Sequence, residues 1–306
     1  SNMIKIGFSI GYLQEKYGDF RALEIAKEIG ADAVDFSTCG TLWDYRNPAS
    51  VYSKSFDEIK AYYRKVKEKA DRLGLIISQT HGQITGFRNI KEEDDALIRN
   101  AEIDCLAASV LGAPYVVIHS VTSIYMGPDA DPGLMHDLNF DMFNRIIPFA
   151  KKYGVKIATE TFGDAVRFKA CDFFGNIDEF LKSYERICSA GDNKDYLVFC
   201  ADTGHSNKAS RFNRNPSSAN VIRALGSQVK VLHLNDNDTL TDQHKMPLSG
   251  TIDWKDVFDA LDEIGYSGVY NMELALSFYG DNMAIDTAAF AIKVLRNYLL
   301  KREEAK

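Results

Sequence analysis

Short β-type apolar runs and helical stretches alternate eight times along this chain, and that alternation leaves few folds open to it. The runs fall at 4–10, 33–37, 75–81, 115–119, 156–160, 197–202, 229–234 and 268–274. Most are continuous Val/Ile/Leu-type segments, as expected of strands covered on both faces. Helical patterns lie between them at 20–29, 56–73, 94–111, 138–153 and 253–264. In the last helix Ile285, Ala288, Ala289, Ile292, Leu295 and Leu299 fall on one stripe. Glycines at 30, 74, 112, 154 and 265 follow helix ends, where a left-handed residue is wanted. Strict βα alternation implies parallel strands joined by right-handed crossovers. Eight units in 306 residues predict an α/β protein of the (β/α)8 TIM-barrel type, with its active site at the C-terminal face of the strands. A doubly wound open sheet is the alternative, but no GxGxxG follows the first strand. No Pro/Gly/Ser-rich linker interrupts the pattern, so a single domain over 1–306 is expected, with Ser1 and Asn2 reading as an expression scar.

Composition narrows the partners. No apolar run approaches the ~20 residues that cross a bilayer, and no signal-peptide pattern opens the chain. Five dispersed cysteines without a CxxC pair suit reduced thiols, so a cytoplasmic location is expected. A formal net charge of −7 disfavours nucleic acid. The expected partner is a small molecule, and homo-oligomerisation stays open.

The histidines carry the functional signal. Five of the six lie at or just beyond strand ends: His81, His119, His205, His233 and His244. Acids mark the same places: Glu160, Asp202, Asp242 and Glu273. In a barrel these ends converge on one cleft. Glu160, Asp202, His233 and Glu273 end strands five to eight, and four N/O donors there fit a divalent cation such as Mn, Zn, Mg or Co. A buried polar network without a cation is the competing reading, but so many buried acids and histidines are costly without one. His136 follows no strand and reads as a surface residue. Trp43 and Phe162, in the second and fifth βα loops, are candidates for an apolar wall against a sugar face. Lys208, Arg211 and Arg214 read as a solvated loop in preference to an anion site.

Glu160, the stretch Asp202–His205 (DTGH), His233–Asp236 (HLND), Asp242–Trp254 (DQHKMPLSGTIDW) and Glu273 together resemble the xylose-isomerase-like TIM-barrel superfamily. That group contains sugar isomerases and epimerases and the related apurinic/apyrimidinic endonucleases. The resemblance implies that Glu160, Asp202, His233 and Glu273 hold a central metal. It implies that His81 and His119, with Glu160, and His205, Asp242 and His244 bind further metals or contact substrate. Val166 and Thr239 stand where tagatose/psicose-type 3-epimerases carry Glu and Arg, so the substrate is left open. The expected activity is a metal-dependent isomerase or epimerase of a small sugar, sugar phosphate or keto-polyol, working through an enediolate. Glu160 and Glu273 are the expected base and acid. An inosose-dehydratase-like hydro-lyase and, further off, an abasic-site endonuclease are the alternatives.

Overall fold

A computed structural model describes residues 4–212 and 214–306. Eight strands form its centre: β1 (Ile6–Ser9), β2 (Ala33–Ser37), β3 (Ile76–His81), β4 (Tyr115–Ile118), β5 (Lys156–Glu160), β6 (Leu197–Asp202), β7 (Val229–His233) and β8 (Tyr270–Met272). They pair in parallel, β8 beside β1 and each later strand beside the one before it. The ring closes between β7 and β8 through one bridge, Leu234 to Met272. Two backbone hydrogen bonds support it, Leu234 N to Asn271 O at 2.9 Å and Glu273 N to Leu234 O at 3.1 Å. The fold is the (β/α)8 barrel that the alternation predicts.

Helices surround the ring: α1 (Gly11–Tyr17), α2 (Asp19–Glu28), α3 (Phe56–Leu73), α4 (Lys91–Leu111), α5 (Pro132–Tyr153), α6 (Ile177–Cys188), α7 (Thr203–Ala209), α8 (Ser218–Leu225), α9 (Trp254–Glu263) and α10 (Ala284–Glu304). Local chemistry sets their ends. Ser55 caps α3: its hydroxyl oxygen accepts from Glu58 N, which satisfies one free first-turn amide, and its O–H donates to the Glu58 carboxylate. Gly74 then ends the helix at φ +70°, a left-handed conformation that costs glycine little. α5 begins at Pro132, capped by Asp131, six residues before the apolar stripe at 138 suggests.

Strand parity places the chemistry. Val117, Ala158, Val198, Cys200 and Val231 form a small apolar cluster of their own, apart from the large core between sheet and helices. Side chains two residues apart on a strand share a face. The next inward positions are therefore His119, Glu160, Asp202 and His233. The same step leads from Ala33 to Asp35, from Gln79 to His81 and from Asn271 to Glu273. The barrel interior thus changes from apolar to ionisable within one layer.

Candidate active site

Glu160 is the hub of this layer. Its Oε1 lies 2.7 Å from His233 Nδ1, 3.3 Å from His119 Nε2 and 3.5 Å from His81 Nε2, and its Oε2 lies 3.1 Å from His205 Nδ1. His233 Nδ1 also faces Glu273 Oε2 at 3.5 Å and Asp202 Oδ2 at 3.9 Å. Glu160, Asp202 and His233 are at most 1% exposed, whereas the Glu273 side chain is 23% exposed and opens the cluster to solvent.

These approaches are close but mostly not hydrogen bonds. Glu160 Oε1, Asp202 Oδ2, His233 Nδ1 and His119 Nε2 are buried and have no hydrogen-bond partner. A buried polar atom without a partner costs roughly 1–3 kcal/mol. Four such atoms gathered around the Glu160 carboxylate, three of them belonging to groups whose donor atoms lie within 4.8 Å of one another, fit a cation better than a closed polar network. Ligands about 2.0–2.2 Å from a divalent ion stand about 3–3.5 Å from one another, close to the spacings seen here. The donors are oxygen and nitrogen, without a thiolate, which suits Mn, Zn, Mg or Co.

Asp35, at an inward position of β2, was not expected from the sequence. Its Oδ2 accepts from His233 Nε2 at 3.1 Å, Ser9 Oγ at 3.0 Å and Gln79 Nε2 at 3.0 Å. Donation of Nε2–H to Asp35 turns Nδ1 of His233 toward Glu160, Asp202 and Glu273, where it can serve as a ligand once a cation displaces its proton. An acid between the apolar residues Ala33, Val34 and Phe36 was the available signal.

A second group adjoins the first. His205, Asp242 and His244 bring one donor atom each to within 4.8 Å of one another. His205 Nδ1 contacts Thr161 O at 2.8 Å, and His244 Nε2 stands 3.2 Å from Asp242 Oδ1. The loop carrying the last two is anchored by its ends. Trp254 Nε1 donates to Asp236 Oδ2 at 2.7 Å, and Gly250 N and Ile252 N donate to the same carboxylate. This joins the HLND and IDW segments in space and leaves His244 at φ +45°, a strained setting for a non-glycine residue.

Charge redistributes protons across the cluster. Burial would raise Glu160, but His119 and His233 hold it well below the usual carboxylate range. Burial would lower the histidines, but their acids win. His205 beside Asp202 and Glu160, and His233 beside Cys200, Glu273 and Glu160, lie well above ordinary imidazole, as does His81 beside Cys39 and Glu160. His244 is raised to about 9, chiefly by Asp242 against the effect of burial. Asp202 moves the other way, because burial pushes its carboxyl up against the pull of His205. Imidazolium protons held between carboxylates are the charges that a bound cation displaces.

The structure gathers all nine strand-end acids and histidines at one face. Phe162 joins them, its ring edge-on to His119 and His205 at 5.3 and 6.5 Å. Trp43 sits apart, packed on the core with Nε1 donating to Tyr63 Oη at 3.1 Å. Lys208 is not solvated: it is 3% exposed within α7, and its Nζ lies 2.9 Å from Asp164. His136 is not a surface residue either. It lies inside α5, 7% exposed, with Nε2 2.6 Å from Glu179 on α6.

A parallel-stranded barrel with carboxylates and imidazoles gathered at its C-terminal mouth defines the class. The profile of the xylose isomerase-like TIM barrel family matches residues 23–297, and the chain belongs to that family. An uncharacterised protein of Sinorhizobium fredii is 28% identical over 60% of this chain, a stretch that spans only 53% of that relative's own length. Among solved structures, a D-tagatose 3-epimerase-like protein superposes with a TM-score of 0.72 at 22% identity, covering 99% of each chain. The IolI protein with a bound zinc atom superposes at 0.68 and 19% identity, covering 97% of each chain. At such identities the likeness is one of fold. No described helix is long and apolar enough to cross a membrane.

Proposed function

We propose that this protein is a divalent-metal-dependent isomerase or epimerase of a small sugar, sugar phosphate or keto-polyol. One observation carries the reading: Glu160 Oε1, Asp202 Oδ2 and His233 Nδ1, buried and without a hydrogen-bond partner, converge beside the partly exposed Glu273 carboxylate. Those four residues would hold the cation. When bound, it supplies Lewis-acid polarisation of a carbonyl and its neighbouring hydroxyl. The chain's own groups do the rest. Glu273, the exposed carboxylate of the set, is placed to take the proton alpha to the carbonyl, and Glu160, supplied with a proton by His205 at 3.1 Å, to return one from the other side. His81, His119 and His205 line the approach and orient hydroxyls, while Phe162 excludes water from one side. Return of the proton to the opposite face of the same carbon gives epimerisation. Return to the neighbouring carbon gives isomerisation. The fold shared with the tagatose-epimerase-like and zinc-bound proteins supports this assignment.

The test is proton NMR of metal-loaded protein in D₂O with a panel of ketoses, aldoses and keto-polyols. Deuterium should appear at a carbon alpha to the carbonyl. Loss of water without exchange into recovered substrate would move the protein to the hydro-lyases. The His205–Asp242–His244 group is compatible with a phosphodiesterase. Metal-dependent nicking of abasic duplex would promote that reading, against the net charge of −7.

A further inference from the structure

Beside the ionisable cluster a cleft of about 230 Å³ runs outward between two unlike walls. It is lined by His119 and His205, whose side chains are 16% exposed, and by the more exposed Asp242. One wall is apolar, made of Ile84, Ile124, Tyr125 and Phe162. Ile84 and Tyr125 are 45% and 46% exposed, although most large apolar side chains of this chain are buried. The guanidinium of Arg88 lies 4.5 Å over the Tyr125 ring, which holds that ring in place. Single exposed apolar residues mean little. Two of them, beside Ile124 and Phe162 on one wall of a cleft that also carries polar groups, form an amphipathic slot.

The opposite wall decides the charge of what fills it. Among the described residues lining the cleft, Lys208 is the one Lys or Arg, and three aspartates line it as well. The Lys208 ammonium is already 2.9 Å from Asp164, which Arg211 also engages at 2.7 Å. A phosphate entering here would meet three carboxylates, with Lys208 already paired to Asp164 and the His205 Nδ1 already held between Glu160 and Thr161 O. Sugar hydroxyls have the histidines to meet, but a bare sugar ring held there would leave Ile84 and Tyr125 facing water.

We infer that the substrate is a keto-sugar or keto-polyol carrying an uncharged alkyl or aryl substituent, which lies against Ile84, Ile124 and Tyr125. This rests on the isomerase or epimerase reading and names its substrate class. Ile84 and Tyr125 are then specificity-determining residues, remote from proton transfer.

The experiment is calorimetric titration of the metal-loaded and metal-free protein with three unreactive probes: methyl β-D-glucopyranoside, phenyl β-D-glucopyranoside and glucose 6-phosphate. The phenyl glucoside should bind at least roughly tenfold more tightly than the methyl, the low end of what an added apolar group gains in a matching pocket. The phosphate should bind no better than the methyl glucoside. The double variant Ile84→Ala/Tyr125→Ala should erase the phenyl preference, so that the two glucosides bind alike. Phe278→Ala, a 51% exposed residue outside this wall, should preserve the preference. Equal binding of the two glucosides, binding of neither, tightest binding of the phosphate, or loss of the preference in Phe278→Ala each overturns the inference. Equal binding by a protein that still exchanges deuterium into keto-sugars removes the substituent alone. Absence of exchange with every keto-sugar removes the isomerase reading itself.

Discussion

Replacing Asp35 by Asn tests the site without touching any proposed ligand. The carboxylate is 1% exposed, and one oxygen receives His233 Nε2, Ser9 Oγ and Gln79 Nε2 at 3.0–3.1 Å. Asn can keep an acceptor at that position, so the shape and all three contacts survive. The charge does not. Hydrogen bonds to a charged partner contribute roughly 1.5–3 kcal/mol against about 1 for neutral ones, so each bond weakens by about half. His233 then becomes a poorer donor of its Nδ1 lone pair, and groups behind a ligating histidine typically govern 10–100-fold in metal affinity. That range corresponds to about 1.4–2.7 kcal/mol. Burial places the effect in its upper half, because water does not screen the lost charge. Competition of Mn²⁺ or Zn²⁺ against a chromophoric chelator measures it directly. Ser9→Ala is the control: it removes one donor from the same oxygen, keeps the charge, and should change affinity by no more than a few-fold. Wild-type metal affinity in a folded Asp35→Asn protein would refute the assigned role of this carboxylate.

Glu160→Gln and Glu273→Gln should each keep the fold and lose proton exchange by roughly 10²–10⁴-fold. Metal content must be measured alongside, and a fully metallated variant exchanging at the wild-type rate would make that Glu a ligand only. Gly204→Ala should disturb Asp202 from outside, because a Cβ there would stand 1.8 Å from Asn235 Oδ1, and Asn235 donates to Asp202 at 3.2 Å. Overpacking of this kind costs about 1–3 kcal/mol, so a lower Tm together with weakened metal binding is expected, and an unchanged Tm would contradict the packing. Asp104, pushed up to about 7 by burial in α4, holds its proton in the folded state over a range where the unfolded chain releases it. Its contribution to stability is therefore complete in acid and declines as pH rises from about 4 to about 7. Asp104→Asn should gain Tm relative to wild type across that interval, and a pH-independent difference would show that Asp104 is already ionised.

The barrel was legible because its strands are covered on both faces, so each reads as an uninterrupted apolar run that stops where chemistry begins. Glu160, Asp202 and His233 were conspicuous for that reason. Asp35 follows the same parity rule but lies before the end of its strand, so a search confined to strand ends passes over it. Lys208 sits in a polar stretch, and its ion-pair partner Asp164 comes from 44 positions earlier, which no local pattern reveals. His136 was misplaced because the apolar stripe of α5 starts at Leu138. Its burial depends on Glu179, Phe173 and Phe174, all from distant sequence. The Asp131-Pro132 start was readable, but the need for a buried imidazole there was not.

The joint at which the barrel closes has a mechanical consequence. β7 meets β8 through one bridge, while most neighbouring strands share three or more registered pairs. His233 and Glu273 sit on either side of that joint, one residue away from Leu234 and from Met272. Any breathing of the ring that parts these two strands carries the imidazole away from the carboxylate. An ion gripped by both would act as a rivet across the weakest seam. Amide exchange at Leu234 and Glu273, more than at any other pair of adjoining strands, would then register whether the rivet is in place.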